Sequence, residues 1–438
     1  MQVEPIKPRG KFISRTTCRF CEGSNLIRIL DFGDFPLAGG FLKKEDLPDE
    51  KYYPFNLNLC QDCFLVQISD VVPAEVLFKE NYFFFSSAIA TLVKHFEAFA
   101  QEIHGRFLKD RQESSAFELG CNDGVLLKPL AALGMHAVGI DPATNVVNSI
   151  DSKNITVIND FFGEKRAIEI KKEYGQFDIF LSSYSFAHID NMIDIMKGVK
   201  CLLKDDGVLV IEIYYLGTLI DEMQYDMIYH EHMSYYSLKS LNSFLKKFDM
   251  EIFDLQNIPG IRSGSVRFYA RNIGQRSDKI SPAVFDMMQY EENKGFYKLE
   301  TYSKYAERVD ETRRDLLEIL NRLKSEGKTI IGYGASGRGT IIMNYCGIDG
   351  RYLDYVVDDA PAKQGFFTPG THVPIKSWDF VKESKFPDYA VLFAWAFTDE
   401  VIKKRRDYLK QGGKFIIPLP EVRIVSERNY FESNGEIE

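Results

Sequence analysis

Between residues 116 and 213 short apolar runs alternate with longer stretches in which apolar residues recur every three or four positions. The runs at 116–119, 137–140, 155–158, 177–181 and 207–213 read as buried strands, and 192–203 reads as a helix between the last two. Another helix starts at Val125, just after Gly124. This alternation predicts an α/β domain with a doubly wound parallel sheet. Upstream, 88–107 has Leu92, Phe96, Phe99 and Ile103 at helical spacing and predicts a helix that covers the sheet. Nearer the N-terminus the pattern predicts a hairpin within 30–37, followed by Gly39-Gly40, and a strand at 53–59. Residues 281–326 are charged and helical by pattern, with Phe285, Met288, Leu299, Tyr302, Tyr305, Leu316, Leu317 and Leu320 recurring. A second strand-turn-helix opens at Thr329, its second strand at 354–359 and a late strand at 391–395.

Chemistry enters where the first strand ends. The turn reads Glu118-x-Gly120-x-x-x-Gly124, with a second acid at Asp123, and the next strand ends on Asp141. Gly120 lets the backbone turn tightly and lie against a ligand. A carboxylate at the end of the second strand suits ribose hydroxyls. A dinucleotide fingerprint would read Gly-x-Gly-x-x-Gly and offer backbone amides to a pyrophosphate. Two acids repel a pyrophosphate and suit a cationic amino-acid tail, which points to S-adenosylmethionine (SAM). The bland alternative is an ordinary strand-turn-helix. The third strand leads to Asn159-Asp160-Phe161, where an adenine amino group would be hydrogen-bonded. The candidate cofactor set is Glu118, Gly120, Asn122, Asp141, Asp160 and Ser183. Cys121 reads as a small packing residue.

Composition adds bounds. The 438 residues suffice for two or three domains, and the 45% hydrophobic content can bury large cores. A net charge of −9 argues against nucleic acid as a partner. No apolar run reaches membrane-spanning length and the polar N-terminus is no signal peptide, so a soluble, cytoplasmic protein is expected; a monomer is the separate expectation for its assembly. Four of the seven cysteines fall as Cys18-Arg-Phe-Cys21 and Cys60-Gln-Asp-Cys63. Two Cys-x-x-Cys pairs are the spacing of a structural tetrathiolate zinc site, although the gap between them exceeds that of a common zinc ribbon. Two disulfides or four unrelated thiols are the alternatives, and disulfides do not suit a cytoplasmic chain. The expected domains are a zinc-binding lobe (1–75), a SAM domain (76–280), linking helices (281–325) and a Rossmann-like C-terminal domain (326–438).

After the fifth strand comes Tyr225-Asp-Met-Ile-Tyr-His-Glu-His-Met-Ser-Tyr-Tyr236. Tyr229, His230, Glu231 and His232 offer a proton acceptor, a group to orient it and a phenol donor. The fourth strand runs out towards His188, on the ligand face of such a sheet. A polar loop and a satisfied structural histidine are the alternatives. Tyr82 and Phe84, ahead of the SAM strand, are placed to reach over a ligand or to pack between lobes. Arg262, Ser263 and Arg267, around a Gly260–Gly264 turn leading into an expected edge strand, are candidates to line a substrate cleft.

The order of the Cys-x-x-Cys pairs, Glu-x-Gly-x-x-x-Gly, His188-Ile189 and Tyr229-His-Glu-His232 resembles the nucleotide-deoxysugar C-methyltransferase family, typified by tetronitrose C-3′-methyltransferases, over nearly the whole chain. The resemblance implies methylation at C3, next to the ketone of a nucleotide-linked 4-keto-deoxysugar, with dTDP as the carrier and GDP or CDP as alternatives. It implies His232 as general base, with Tyr229, Glu231 and His188 supporting proton transfer and oxyanion stabilisation. It gives the second glycine turn to the nucleotide sugar, with Ser336, Gly337 and Arg338 near the diphosphate and Lys363 and His372 completing the pocket. The family often carries Asn after the Trp of the late strand, whereas this chain has Ala396. Glycines 332, 334 and 337 also fit a dinucleotide motif, which keeps an NAD-linked oxidoreductase among the alternatives, beside an O- or N-methyltransferase and a zinc-bearing sensor.

Overall fold

The computed structural model describes residues 9–79, 84–260 and 264–431. Strands Leu26–Pro36 and Tyr52–Cys60 pair antiparallel as the spine of the first lobe, and Val66–Ile68 extends the sheet. Each Cys-x-x-Cys pair closes a tight knuckle. The Glu22 N–H donates to the Cys18 carbonyl (3.0 Å) and the Phe64 N–H to the Cys60 carbonyl (2.9 Å). Glu22 and Phe64 both adopt left-handed backbone, with φ of 63° and 62°. The knuckles thereby aim all four sulfurs at one point.

Those sulfurs lie within 4.8 Å of one another. Cys18 and Cys63 are 3.5 Å apart and Cys21 and Cys60 are 3.4 Å apart. Disulfide sulfurs would sit about 2.05 Å apart, so these are free thiols. A tetrahedral ion with Zn–S bonds of about 2.3 Å separates its sulfurs by roughly 3.8 Å. The donor set fits structural zinc, with all four positions filled by protein.

One expectation fails in this lobe. The hairpin read within 30–37 is a single strand that continues to Pro36. Gly33 (φ 79°) forms a bulge, and the Asp31 carboxylate accepts its N–H at 2.9 Å. A bulge absorbs one extra residue without ending the pairing. The chain reverses later, through the short 3-10 turn Lys44–Asp49.

Among the described residues, seven strands form the central sheet. Their spatial order is Thr156–Ile158, His136–Ile140, Ser115–Leu119, Phe177–Ser183, Leu203–Tyr214, Ser265–Asn272, Met250–Ile258. The first five are parallel; Ser265–Asn272 runs antiparallel to both of its neighbours. The chain changes direction of travel between Ser115–Leu119 and Phe177–Ser183, and such a switch opens a crevice at the carboxyl ends of the strands. Helix Ala90–Ile103 buries Leu92, Phe96, Phe99 and Ile103 against this sheet, as its spacing predicts. Ser265–Asn272 is interior because Met250–Ile258 takes the edge. Arg267 is consequently buried, stacked on Phe99 and paired with Glu212 and Glu102, and does not line a cleft.

Helices Pro282–Lys294 and Leu299–Ser325 follow. A second sheet has the order Ile375–Lys376, Val356–Val357, Ile330–Tyr333, Tyr389–Leu392, Lys414–Ile417, Arg423–Val425, with all but the last strand parallel. The molecule is thus α/β, with a cysteine-knuckle lobe and two Rossmann-like sheets. Among the described residues no helix is long and apolar enough to cross a membrane.

One crossover ties the lobes together. Strand Ser234–Tyr235, which follows the central sheet's fifth strand in sequence, pairs antiparallel with Val66–Ile68 and becomes the outer strand of the zinc lobe.

Purified protein should therefore carry about one zinc per chain. Cys60→Ser should lose the metal and lower the melting temperature, because zinc contributes on the order of 10 kcal/mol to small tetrathiolate folds. Metal analysis with calorimetry checks this, and an unchanged melting transition in a metal-free variant would refute the structural role.

Candidate functional site

The site begins at the first glycine turn. Gly120 has φ 71°, and its N–H donates to the Ile140 carbonyl at 2.8 Å. A Cβ at this position would overlap the Ser185 side chain, so the turn needs glycine both for its backbone and for space. The Asp141 carboxylate accepts the N–H groups of Asn122 and Ala143, each at 2.9 Å. Asn122 in turn grips the preceding segment. Its amide donates to the Phe84 carbonyl (3.0 Å), and its carbonyl oxygen accepts the Ser86 N–H (2.9 Å). The Asp123 carboxylate accepts the Ser87 N–H at 2.9 Å. Residues 84–87 are therefore fastened over the turn.

A cavity of about 400 Å³ opens there, with Gly120, Asn122, Asp141, Asp160, Ser183 and His188 in its wall. That volume is in the range of small-molecule sites. Glu118 lies beneath the wall, 3% exposed. Among the described residues Glu118 Oε2, Asp123 Oδ1 and Ser183 Oγ have no hydrogen-bond partner although buried. Burial, then the nearby Asp141 and Asp123, push the Glu118 carboxyl well above the usual carboxylate range. Burial also raises Asp141. Three crowded acids, two of them with an unmatched oxygen, fit a ligand that carries positive charge and N–H donors, as SAM does. Asp160 is more exposed; its carboxylate accepts the Phe161 N–H (2.8 Å) and faces Arg166 at 3.4 Å.

Beyond His188 lies a cluster of rings. The His188 and His232 ring centroids are 5.0 Å apart, and Tyr229 packs on His232 at 3.9 Å. His188 Nδ1 donates to the Glu231 carbonyl (2.7 Å), and His232 Nδ1 donates to the Met227 carbonyl (2.8 Å). A carbonyl can only accept, so each ring keeps a proton on Nδ1 and, when neutral, carries its lone pair on Nε2. Tyr214 completes the cluster, 4.9 Å from His232 and 4.9 Å from the cavity-lining Tyr184. The sequence reading missed Tyr214. Its place at the carboxyl end of the fifth strand was the available signal.

The other two members of the motif face elsewhere. His230 points into the zinc lobe, with Nε2 donating to the Pro54 carbonyl (3.2 Å) and its ring against Phe55. Burial pushes its pKa down to about 4, so it stays neutral. The Glu231 carboxyl lies beside Gly39, and desolvation pushes it up to about 7.

The C-terminal candidates are held internally. Ser336 Oγ accepts the Gly339 N–H (3.1 Å) as the N-cap of helix Gly337–Cys346, and Gly337 faces Ala38. Arg338 makes a two-pronged pair with Asp226 (2.8 and 3.0 Å). The Lys363 ammonium donates to the Ala335 carbonyl (2.6 Å) and sits 3.4 Å from Asp358, so the acid that would meet a dinucleotide ribose already faces a cation. His372 is 2.7 Å from Glu50, which also accepts the Gly370 N–H. None of these residues lines the cavity over Gly120. Tyr82, Arg262 and Ser263 lie outside the described residues.

Three protein-family models match the chain. They are described as "Putative zinc binding domain" for residues 18–78, "Methyltransferase domain" for 93–255 and "C-methyltransferase C-terminal domain" for 260–420. The chain is 30% identical to C-methyltransferase NovU of Streptomyces niveus over 93% of its own length and 96% of that protein's. It is 28% identical to a ubiquinone biosynthesis O-methyltransferase of Actinobacillus pleuropneumoniae serotype 7 (strain AP76) over 25% of this chain and 47% of that one. Among solved structures, the plantazolicin methyltransferase BpumL in complex with a pentazolic desmethylPZN analog and SAH covers 41% of this chain and 83% of its own. The identity there is 13% and the TM-score 0.33, too low to bear on the site.

The raised Glu231 carboxyl has a measurable signature. It is ionised above about 4.5 when unfolded and only above about 7 when folded. Its destabilising effect is therefore absent at low pH, grows as pH rises between those values and is constant above them. Glu231→Gln should melt higher than the parent protein at pH 8, and the difference should vanish towards pH 4. Equal melting temperatures at pH 8 would show an unperturbed carboxyl.

Proposed function

The chain belongs to the SAM-dependent C-methyltransferase family, and on that premise we propose that it methylates C3, the carbon next to the ketone of a nucleotide-linked 4-keto-deoxysugar, through an enolate generated by His232. The observation that carries this reading is the His188–His232–Tyr229 cluster adjoining the cavity over the acid-rich glycine turn. An O- or N-methyltransferase needs only weak assistance from a base. An imidazole with a fixed tautomer beside a methyl-donor pocket suits removal of a carbon-bound proton.

The residues divide the work as follows. Glu118, Gly120, Asn122, Asp141, Asp160 and Ser183 would hold SAM, which when bound supplies an electrophilic methyl group. His232 Nε2 takes the proton from the carbon next to the ketone, and the Nδ1 bond to Met227 steadies the imidazolium that forms. The Tyr229 phenol and a protonated His188 are the donors for the enolate oxygen. With the proton on His232, the electron pair of the enolate would form the new carbon–carbon bond as the sulfur–methyl bond breaks and its electron pair leaves on the neutral thioether, and the proton would pass to water. Glu231, whose backbone carbonyl accepts the His188 Nδ1 proton, supports the cluster through that bond. For the nucleotide sugar the Ser336–Gly337 turn, at a helix N-terminus facing Ala38, is the remaining C-terminal candidate. Tyr82, Arg262 and Ser263 complete the proposed contacts.

Heavy-water exchange tests the mechanism. With a dTDP-, GDP- or CDP-linked 4-keto-deoxysugar and no SAM, the enzyme should wash deuterium into C3. His232→Gln should abolish the exchange while binding SAM normally. Methyl label recovered on oxygen, or exchange that survives in the variant, would overturn the reading.

The acids make a second prediction with opposite signs. Glu118→Gln removes a buried, repelled charge, so the ligand-free protein should melt higher. It also removes a charged acceptor, so SAM affinity should fall roughly 10–100-fold. In the parent protein affinity should decline as pH falls through the raised carboxyl pKa values, because only the ionised acids attract the cation. Calorimetric titration across pH checks both signs.

A further inference from the structure

We infer that the C-terminal domain sets the tautomer and aim of His232 through Asp226, which acts as a positioning residue; this deepens the proposed mechanism and rests on His232 being its base. Asp226 sits in the short turn Tyr225–Met227 and is fully buried. Both of its carboxylate oxygens are taken by the C-terminal domain. Arg338 donates from Nε at 2.8 Å and from a terminal nitrogen at 3.0 Å, and the Trp395 indole N–H donates at 2.7 Å. The guanidinium also lies over the Trp395 ring, 4.7 Å from its centroid. Tyr225, the neighbour of Asp226, reaches Cys346 at the far end of the helix whose first turn holds Arg338, with 3.8 Å between oxygen and sulfur. The turn is thus pinned along the whole of helix Gly337–Cys346.

The consequence appears one residue later. Met227 has its carbonyl aimed at His232 Nδ1, 2.8 Å away. Of the bonds made by that ring, this one fixes its tautomer, because it places the proton on Nδ1 and the lone pair on Nε2. The Asp226 clamp therefore controls the base through a single peptide unit. A two-pronged arginine–carboxylate pair is suited to this, since it fixes direction as well as distance. The arrangement also accounts for the glycine-turn arginine in a domain whose nucleotide-binding acid is taken by Lys363. Arg338 grips the catalytic segment and is not available to bind a diphosphate.

Three variants test the inference: Arg338→Ala, Arg338→Lys and the milder Trp395→Phe, which keeps the ring and deletes one N–H. The first readout is the ¹⁵N spectrum of histidine-labelled protein without substrate, with His232 assigned by its loss in His232→Gln. The parent should show a pure Nδ1–H form, and Arg338→Ala a mixture of tautomers. The second readout is steady-state kinetics. Arg338→Ala should lower kcat roughly 10–100-fold, displace the pH profile and change sugar KM less than threefold. Arg338→Lys should keep the charge without restoring the tautomer, and Trp395→Phe should shift the spectrum in the same direction by less. A raised sugar KM with unchanged kcat and spectrum would make Arg338 a substrate contact and overturn the inference. So would a lower melting temperature with an unchanged spectrum and pH profile. The spectrum is independent of turnover, so failure of His232 as base and failure of this coupling give different results.

Discussion

The segment from residue 225 to 236 satisfies its hydrogen bonds with three separate domains at once, and the site exists only where the three sets agree. Asp226 is held by Arg338 and Trp395 of the C-terminal domain. The Met233 N–H donates to the Ala187 carbonyl of the central domain at 2.7 Å. The Ile68 N–H of the zinc lobe donates to the Met233 carbonyl at 3.0 Å, and Ser234–Tyr235 continues the pairing. Buried backbone groups must be paired, so a shift of any one domain leaves polar groups of this segment stranded. His188 and His232 meet because these conditions have one joint solution.

This explains why a small lobe with a closed metal site accompanies the central domain. A tetrathiolate site has no open coordination position and does no chemistry itself. Its knuckles fix the end of strand Tyr52–Cys60 and the start of Val66–Ile68, and Val66–Ile68 is the strand on which Ser234–Tyr235 is laid. The metal's stabilisation is thereby transmitted to the residue pair that immediately follows His232 and Met233. His230 adds to the attachment: it is kept neutral by burial among lobe aromatics and serves as an anchor inside the motif.

What could be read in the sequence was what is encoded locally. The Cys-x-x-Cys pairs, the Glu118–Gly124 turn and the strand–helix alternation each depend on neighbours within a few residues, and each has its expected form. What could not be read depends on partners far along the chain. The run 30–37 looked like a hairpin because glycine serves a turn and a bulge equally well, and only the facing strand shows that Gly33 makes a bulge. Arg267 looked placed to line a cleft because nothing local announces that Met250–Ile258 will take the edge or that Glu212 and Glu102 will receive the guanidinium. Tyr229-His-Glu-His232 read as one catalytic unit, yet successive side chains of a turn cannot all face one way. His232 and Tyr229 stack together, while His230 and Glu231 point to other surroundings. Arg338 and Lys363 kept their charge partners hidden for the same reason.

The two halves of the site adjoin in space, and the acidic half carries an electrostatic cost of its own. Desolvation, then the neighbouring acids, raise the Glu118 carboxyl beneath the cavity over Gly120, and desolvation raises Asp141. On the cavity's far wall stand His188 and, behind it, His232. A cation seated over the glycine turn would favour the ionised forms of those acids. The acids that crowd the turn weigh against the empty protein, and under the proposed reading the same crowding is what a positively charged donor relieves on binding.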